Sequence, residues 1–169
     1  MMTSQIRYNT KTILAHLQLY IAFMEGDKLS VDDIKEITGL TKNIVDNIIK
    51  SFKEMVNDLR LACVFKREKN TVITNKTKYF TYRYKFADIL DYSFTLDDNL
   101  EDEKKVRYSA VIVYLMLKKK QYVKCSNLSN YFPKFDKHIF SVLISKMKDV
   151  IGEELYKDEI QSYVIEDID

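Results

Sequence analysis

An α+β fold, mainly α with small β-hairpins and built as two tandem copies of one unit, follows from three observations on this chain of 169 residues. The first is a repeat. Displacing Ile34 onto Leu128 and Ile37 onto Tyr131, with one extra residue in the next turn, lays Ile44, Ile48, Phe52 and Val56 over Ile139, Leu143, Met147 and Ile151. The second is that the apolar spacing within each copy describes a short helix followed by a longer one. The third is an alternating, β-rich stretch after each long helix, the pattern of a hairpin. Self-similarity of this kind implies one supersecondary unit used twice.

The first copy opens at residues 11–25, where Ile13, Leu14, Leu17, Ile21 and Met24 recur near helical spacing and Gly26 stands just beyond as a stop. Ser30 precedes Val31, Asp32 and Asp33, an N-cap followed by acids suited to the positive end of a helix, with Ile34 and Ile37 on the buried side. Gly39 ends that short helix, Leu40 fills the corner, and Thr41 is placed to cap the next helix. Residues 42–59 carry Ile44, Val45, Ile48, Ile49, Phe52, Met55, Val56 and Leu59 as one broad apolar stripe. Residues 60–65 alternate, residues 66–70 read as a polar tip, and residues 71–74 return. An extra β-segment at residues 79–86 sets Phe80, Tyr82, Tyr84 and Phe86 against Thr81, Arg83 and Lys85. That aromatic stripe is either a sheet's inner face, a dimer contact, or a surface on which single-stranded bases stack.

Residues 98–103 form an acidic linker without apolar period, which divides the chain into a first domain at 1–97 and a second at 104–169. A helix largely apolar on several sides follows at residues 106–117, closed by Lys118, Lys119 and Lys120, which suit either the negative end of a helix or a phosphate. Residues 126–131 are the second short helix. Phe132, Pro133, Lys134 and Phe135 replace the glycine-containing turn, and Asp136 caps the helix at 137–150. Leu155 and Tyr156, an acidic turn at Asp158 and Glu159, and residues 160–165 complete a second hairpin.

Helix, short helix, longer helix and flanking hairpin make the outline of a winged helix-turn-helix, whose second helix of the turn pair enters the DNA major groove. The polar side of the first such helix offers Thr41, Lys42, Asn43, Asn47 and Lys50. Asparagine amides match the N6 and N7 edge of adenine, and lysine serves phosphates or guanine. Lys66, Arg67 and Lys69 would supply a basic wing tip, and Lys134, Lys137, Ser141 and Lys148 the corresponding surface of the second copy, with His138 near its exposed end. The acidic second wing predicts that the second copy contacts DNA differently or serves a protein partner.

Composition is consistent with this. The chain is 46% hydrophobic and 31% charged with a net charge of +2, but the charges are segregated. Residues 60–85 hold eight bases against Glu68, residues 86–103 hold acids alone, residues 104–148 are again basic, and the tail is acidic. The blocks either gather on separate faces or interleave and cancel. No run suggests a membrane span or a signal peptide, so a cytoplasmic location is expected. Cys63 and Cys125 have no Cys or His at ligand spacing. Neither a metal site nor a cofactor is expected, and with two histidines and no Gly-rich phosphate loop no catalytic residues are assigned.

The segments LSVDDIKEITGLTKNIVDNIIKSF and YVKCSNLSNYFPKFDKHIFSVLISKM, in two consecutive units, resemble the N-terminal tandem winged-helix pair of Mga and BglG-type transcriptional regulators of low-GC Gram-positive bacteria. The resemblance implies a DNA-binding transcription regulator acting on double-stranded DNA. Ending at Asp169, the chain lacks the regulatory modules that follow in those families, so a stand-alone regulator is expected. Two other classes use the same parts: a plasmid or phage replication initiator, and a protein-interaction module of paired winged helices. A homodimer is open to it through residues 1–10 or the aromatic strand.

Overall fold

The computed structural model describes residues 9–74, 77–118, 123–124, 132, 137–151, 154–157 and 162–166. Among them the chain is α+β. Six helices, α1 (Thr10–Met24), α2 (Val31–Thr38), α3 (Lys42–Asp58), α4 (Asp102–Arg107), α5 (Ser109–Lys118) and α6 (Lys137–Ile151), accompany five strands. The strands β1 (Val64–Thr74) and β2 (Thr77–Ala87) form one antiparallel sheet, and β3 (Val123–Lys124), β4 (Glu154–Lys157) and β5 (Ser162–Glu166) form another in the order β3-β5-β4. No helix among the described residues is long and apolar enough to cross a membrane.

Two compact units emerge, Gln18–Thr95 and a second made of Met1–Leu17 with Leu96–Asp169. The sequence reading places all of residues 1–97 together. The difference lies in α1, where five consecutive residues, Ile13, Leu14, Ala15, His16 and Leu17, are all buried. A helix packed along a single stripe cannot bury five residues in a row, so this half is enclosed on every side. The second half buries Leu19, Tyr20 and Phe23, while Ile21 and Met24 of the expected stripe are only half-buried.

In the unit Gln18–Thr95, local chemistry sets each helix end. Helix α1 closes with Gly26 N–H donating to the Phe23 carbonyl (3.1 Å) and Asp27 N–H to that of Ala22 (3.1 Å), with Gly26 at φ 93°. This is a Schellman closure, which requires a left-handed residue. Helix α3 ends the same way: Arg60 N–H reaches Asn57 (3.1 Å) and Leu61 N–H reaches Val56 (3.1 Å), but the left-handed position, φ 49°, is held by Arg60. Helix α2 begins in a capping box, Ser30 Oγ accepting from Asp33 N–H (3.2 Å) and the Asp33 carboxylate from Ser30 N–H (3.0 Å). The expected cap at Thr41 does not form. Thr41 occupies the N-cap position of α3 in extended conformation and makes no side-chain cap hydrogen bond.

The core of this unit is aromatic. Phe23, Phe52, Phe65 and Phe86 pack with ring centroids between 5.1 and 6.2 Å, and Tyr20 meets Phe86 edge-on at 5.8 Å. Phe65 and Phe86 face each other across the β1–β2 ladder, whose register runs unbroken from Val64↔Ala87 to Thr74↔Thr77. The expected wing is therefore redrawn. Residues 66–70 are not a tip but the middle of β1, and the extra segment at 79–86 is the second strand of the same hairpin. Lys66, Arg67 and Lys69 are polar because they stand exposed along a strand, and no glycine or proline is present there to force a turn. Beside the hairpin, Leu29 exchanges backbone hydrogen bonds with Tyr84 (2.9 and 2.8 Å), adding a one-residue third strand on the outer side of β2.

The second unit repeats this order. Strand β3 pairs with β5, the second strand of its hairpin, as Leu29 does with β2, and Val123↔Tyr163 is in register. The displacement from Leu29 to Val123 equals that from Ile34 to Leu128 in the sequence. Helix α4 starts at Asp102, so the expected acidic linker ends in a helix whose first turn favours Asp102 and Glu103. The expected helix at 106–117 is split at Tyr108 and extends to Lys118. In α6, Leu143, Ile144, Met147 and Ile151 are buried, and so is Phe132. Cys125, Asp158, Glu159 and residues 126–131 and 133–136 lie outside the described residues.

His16, fully buried, donates from Nδ1 to the Thr12 carbonyl at 2.8 Å, because a carbonyl can only accept. Burial is the larger influence on it and, with Arg107 opposing a second positive charge, lowers its pKa to about 4. The imidazole is thus neutral in the fold but would take a proton near pH 6.5 when unfolded, so its stabilisation is complete above about pH 6.5 and is lost as pH falls towards 4. The expected loss is about 3 kcal/mol relative to His16→Asn, checked by denaturant melts of both chains across that range. At the helix ends, an added Cβ at Gly26 meets nothing within 4 Å. Gly26→Ala should therefore cost about 1 kcal/mol from backbone conformation alone, whereas Arg60→Gly should be neutral or stabilising by a similar amount, both read as melting shifts.

Candidate nucleic-acid interface

Helix α3 is presented by the turn before it. Gly39 adopts φ 68°, ψ 18° and its N–H donates to the Lys35 carbonyl at 2.8 Å. The Thr38 hydroxyl donates to Ile34 (2.7 Å) and accepts weakly from Leu40 N–H (3.4 Å), and Leu40 is buried in the corner. A side chain at position 39 would pay for the left-handed conformation, so glycine suits the sharp reversal between α2 and α3.

From that corner α3 buries Val45, Ile48, Phe52, Met55 and Val56 and leaves Lys42, Asn43, Asp46, Asn47, Lys50 and Lys53 exposed. Lys42, Asn43, Asn47 and Lys50 are thus brought onto one solvent-facing side of α3, with Asn43 and Asn47 one turn apart, and Thr41 stands exposed at the N-cap before them. Lys53 continues this face, and Asp46 interrupts its charge. Two apolar residues depart from the expected burial: Ile37 is 40% and Ile44 38% exposed. The stripe along α3 is broader than the core that covers it, and Ile44 falls on the margin.

Lys66, Arg67 and Lys69 are exposed on β1 in the same unit, along a strand rather than at a tip. Successive strand residues alternate between faces, so Lys66 and Glu68 share one side with Arg83 and Lys85, while Phe65, Arg67 and Lys69 share the other with Phe86, Tyr84 and Tyr82. On the first side Glu68 is bound by Lys85 at 2.6 Å and by Lys28 at 3.6 Å. On the second, Phe65 lies parallel to Tyr84 at 5.6 Å and the Arg67 guanidinium sits 4.4 Å from the centre of the Tyr82 ring. Reading residues 66–70 as a turn concealed this arrangement. The signal that reveals it is the period-two alternation of 79–86, once continued through the opposing strand.

Of the residues expected in the second copy, Lys148 is exposed on α6 and Lys137 and Ser141 lie in its first turns, their side chains outside the description. Lys134 lies outside the described residues. Cys63 is half-buried and free, and burial pushes its thiol up to about 11, which makes it a poor nucleophile near neutrality. Among the described residues no cluster of three or more His, Cys, Asp or Glu is arranged to hold a metal ion.

Comparison with known proteins yields no match to any family model, curated protein or solved structure.

The Lys85 hydrogen bond, aided by the charges of Lys28 and Lys85, holds the Glu68 carboxyl below the usual carboxylate range. Lys85→Met should return its titration towards the ordinary value, followed by NMR of the side-chain carboxyl, whereas an unchanged midpoint would remove Lys85 as the principal cause.

Proposed function

We propose that this chain is a DNA-binding transcription regulator made of tandem winged helix-turn-helix units, with α3 as the recognition helix of the first. The observation that carries the reading is the α3 surface: Lys42, Asn43, Asn47 and Lys50, exposed together directly after a capped short helix and a left-handed glycine turn. Two amides one turn apart suit adenine edges, and the flanking lysines suit the phosphates on either side of a groove. The short strand at Leu29, the hairpin it pairs with, and the same order in β3-β5-β4 support the winged arrangement. The resemblance of the two quoted segments to Mga and BglG-type regulators points the same way.

No enzymatic role is proposed. His16 is enclosed and neutral, and Cys63 is protonated at neutral pH, so neither is suited to acid–base or nucleophilic work. A second reading, a protein-interaction module, draws on Ile37 and Ile44, which expose apolar surface on either side of the turn at residues 38–41.

Binding to duplexes from random and upstream genomic fragments, measured across a salt series, tests the proposal. Asn43→Ala and Asn47→Ala should each cost about 1 to 3 kcal/mol on the preferred duplex and almost nothing on random DNA. Lys42→Ala and Lys50→Ala should weaken binding to every duplex and lower the salt slope by about 0.9 for each lost phosphate contact. Equal losses on both DNAs for the asparagine variants would remove base reading. Absence of duplex binding, with Ile37→Ser or Ile44→Ser releasing a bound protein, would favour the interaction module. Selective binding to repeats beside an origin would mark an initiator.

A further inference from the structure

We propose that the side of the β1–β2 ribbon carrying Arg67, Lys69, Tyr82 and Tyr84 is a binding surface for single-stranded nucleic acid, with an unpaired base stacking against Tyr82. The inference goes beyond the duplex reading by α3 and does not depend on it. Register places these residues on one face. Phe65, Arg67 and Lys69 stand directly opposite Phe86, Tyr84 and Tyr82, and opposed residues in an antiparallel pair project to the same side.

Along this face the environment changes from dry to wet. Phe86 is buried, Phe65 and Tyr84 are half-buried and parallel at 14°, and Tyr82 is 41% exposed. Tyr82 thus keeps a large part of its surface open to water. Its ring is nevertheless oriented by the Arg67 guanidinium 4.4 Å from its centre, and Lys69 lies across the ladder from it. The acid of this strand does not oppose an anion here. Glu68 projects to the other side, where Lys85 and Lys28 neutralise it. The strip therefore joins flat aromatic surface to positive charge on a hydrogen-bonded ribbon, which needs no ordering before it binds.

The ligand that matches both features is a flexible polyanion bearing exposed π-faces. In a duplex the base faces are already stacked on one another, so a tyrosine ring finds none available. In a single strand they are open, and stacking is tolerant of sequence because every base has such a face. The Arg67 guanidinium beside the ring then meets the backbone phosphates.

The chain contains no tryptophan, so Tyr82→Trp introduces a single reporter at the proposed contact. In the full chain, a single-stranded oligothymidylate should quench this fluorescence in a salt-dependent titration, and an abasic oligomer of equal length should bind more weakly and quench little. Tyr82→Ala and Arg67→Ala should weaken oligothymidylate binding by on the order of tenfold, while Tyr82→Phe retains it. Should Tyr82→Ala lower the melting temperature, the comparison of Tyr82→Phe with the abasic oligomer still decides. Equal binding of abasic and normal strands, or no quenching, overturns stacking. Equal quenching by polyglutamate overturns it in favour of an acidic protein partner. A chain carrying Asn43→Ala with Asn47→Ala should keep oligothymidylate quenching, so loss of duplex reading and loss of this site are distinguishable.

Discussion

Four phenylalanine rings, one each from α1, α3, β1 and β2, meet at the base of the long hairpin, and the arrangement of the unit Gln18–Thr95 depends on that meeting. Burying a phenylalanine contributes roughly 1.5 to 3 kcal/mol, so the buried Phe23, Phe52 and Phe86, joined by half-buried Phe65, together outweigh any single hydrogen bond in the unit. Their effect on geometry is larger still. A strand shifted by one residue turns every side chain to the opposite face. Opposing Phe65 to Phe86 therefore decides that Arg67 meets Tyr84, that Lys69 meets Tyr82, and that Glu68 lies with Lys85 on the other side. Phe52 ties the same cluster to α3, so the helix that turns its core side to these rings must turn Lys42, Asn43, Asn47 and Lys50 to water.

In both sheets the second strand of the hairpin is the central one. Apolar spacing aligns α3 with α6, and sheet order aligns the Leu29 bridge with β3. Hairpins are where the copies part. The first has strands of eleven residues, whereas β4 and β5 have four and five.

Much of the charge segregation along the chain resolves into local chemistry. Asp102 and Glu103 sit at the positive end of α4, with Glu103 bound to Arg107 at 3.2 Å, and Lys118 stands at the negative end of α5 with its ammonium 5.5 Å from the Tyr114 ring. In the most basic block, Glu68 is held by Lys85 and Lys28 on one side of the ribbon, and Arg67 and Lys69 share the other with no acid in register. The charge pattern that matters to a ligand is thus set by faces, and a face is a property of register.

The helices were legible because their signals are local: a capping box at Ser30, a glycine free to be left-handed at Gly39, and apolar residues at helical spacing through α3. The polar side of α3 followed from the same periodicity. The hairpin was expected, but its turn position and strand pairing were not legible, because polar strand residues and turn residues share a composition and differ only in what lies opposite them. Nor was the enclosure of Ile13 to Leu17, since a helix buried on all sides and one buried on a single stripe differ in their neighbours and not in their own period. By itself the sequence determined where α1, α2 and α3 start and stop and that α3 turns Lys42, Asn43, Asn47 and Lys50 away from the core. The tertiary structure alone decided the pairing of Phe65 with Phe86, and with it which cations share a face with Tyr82, because strand register depends on contacts between residues far apart in the chain.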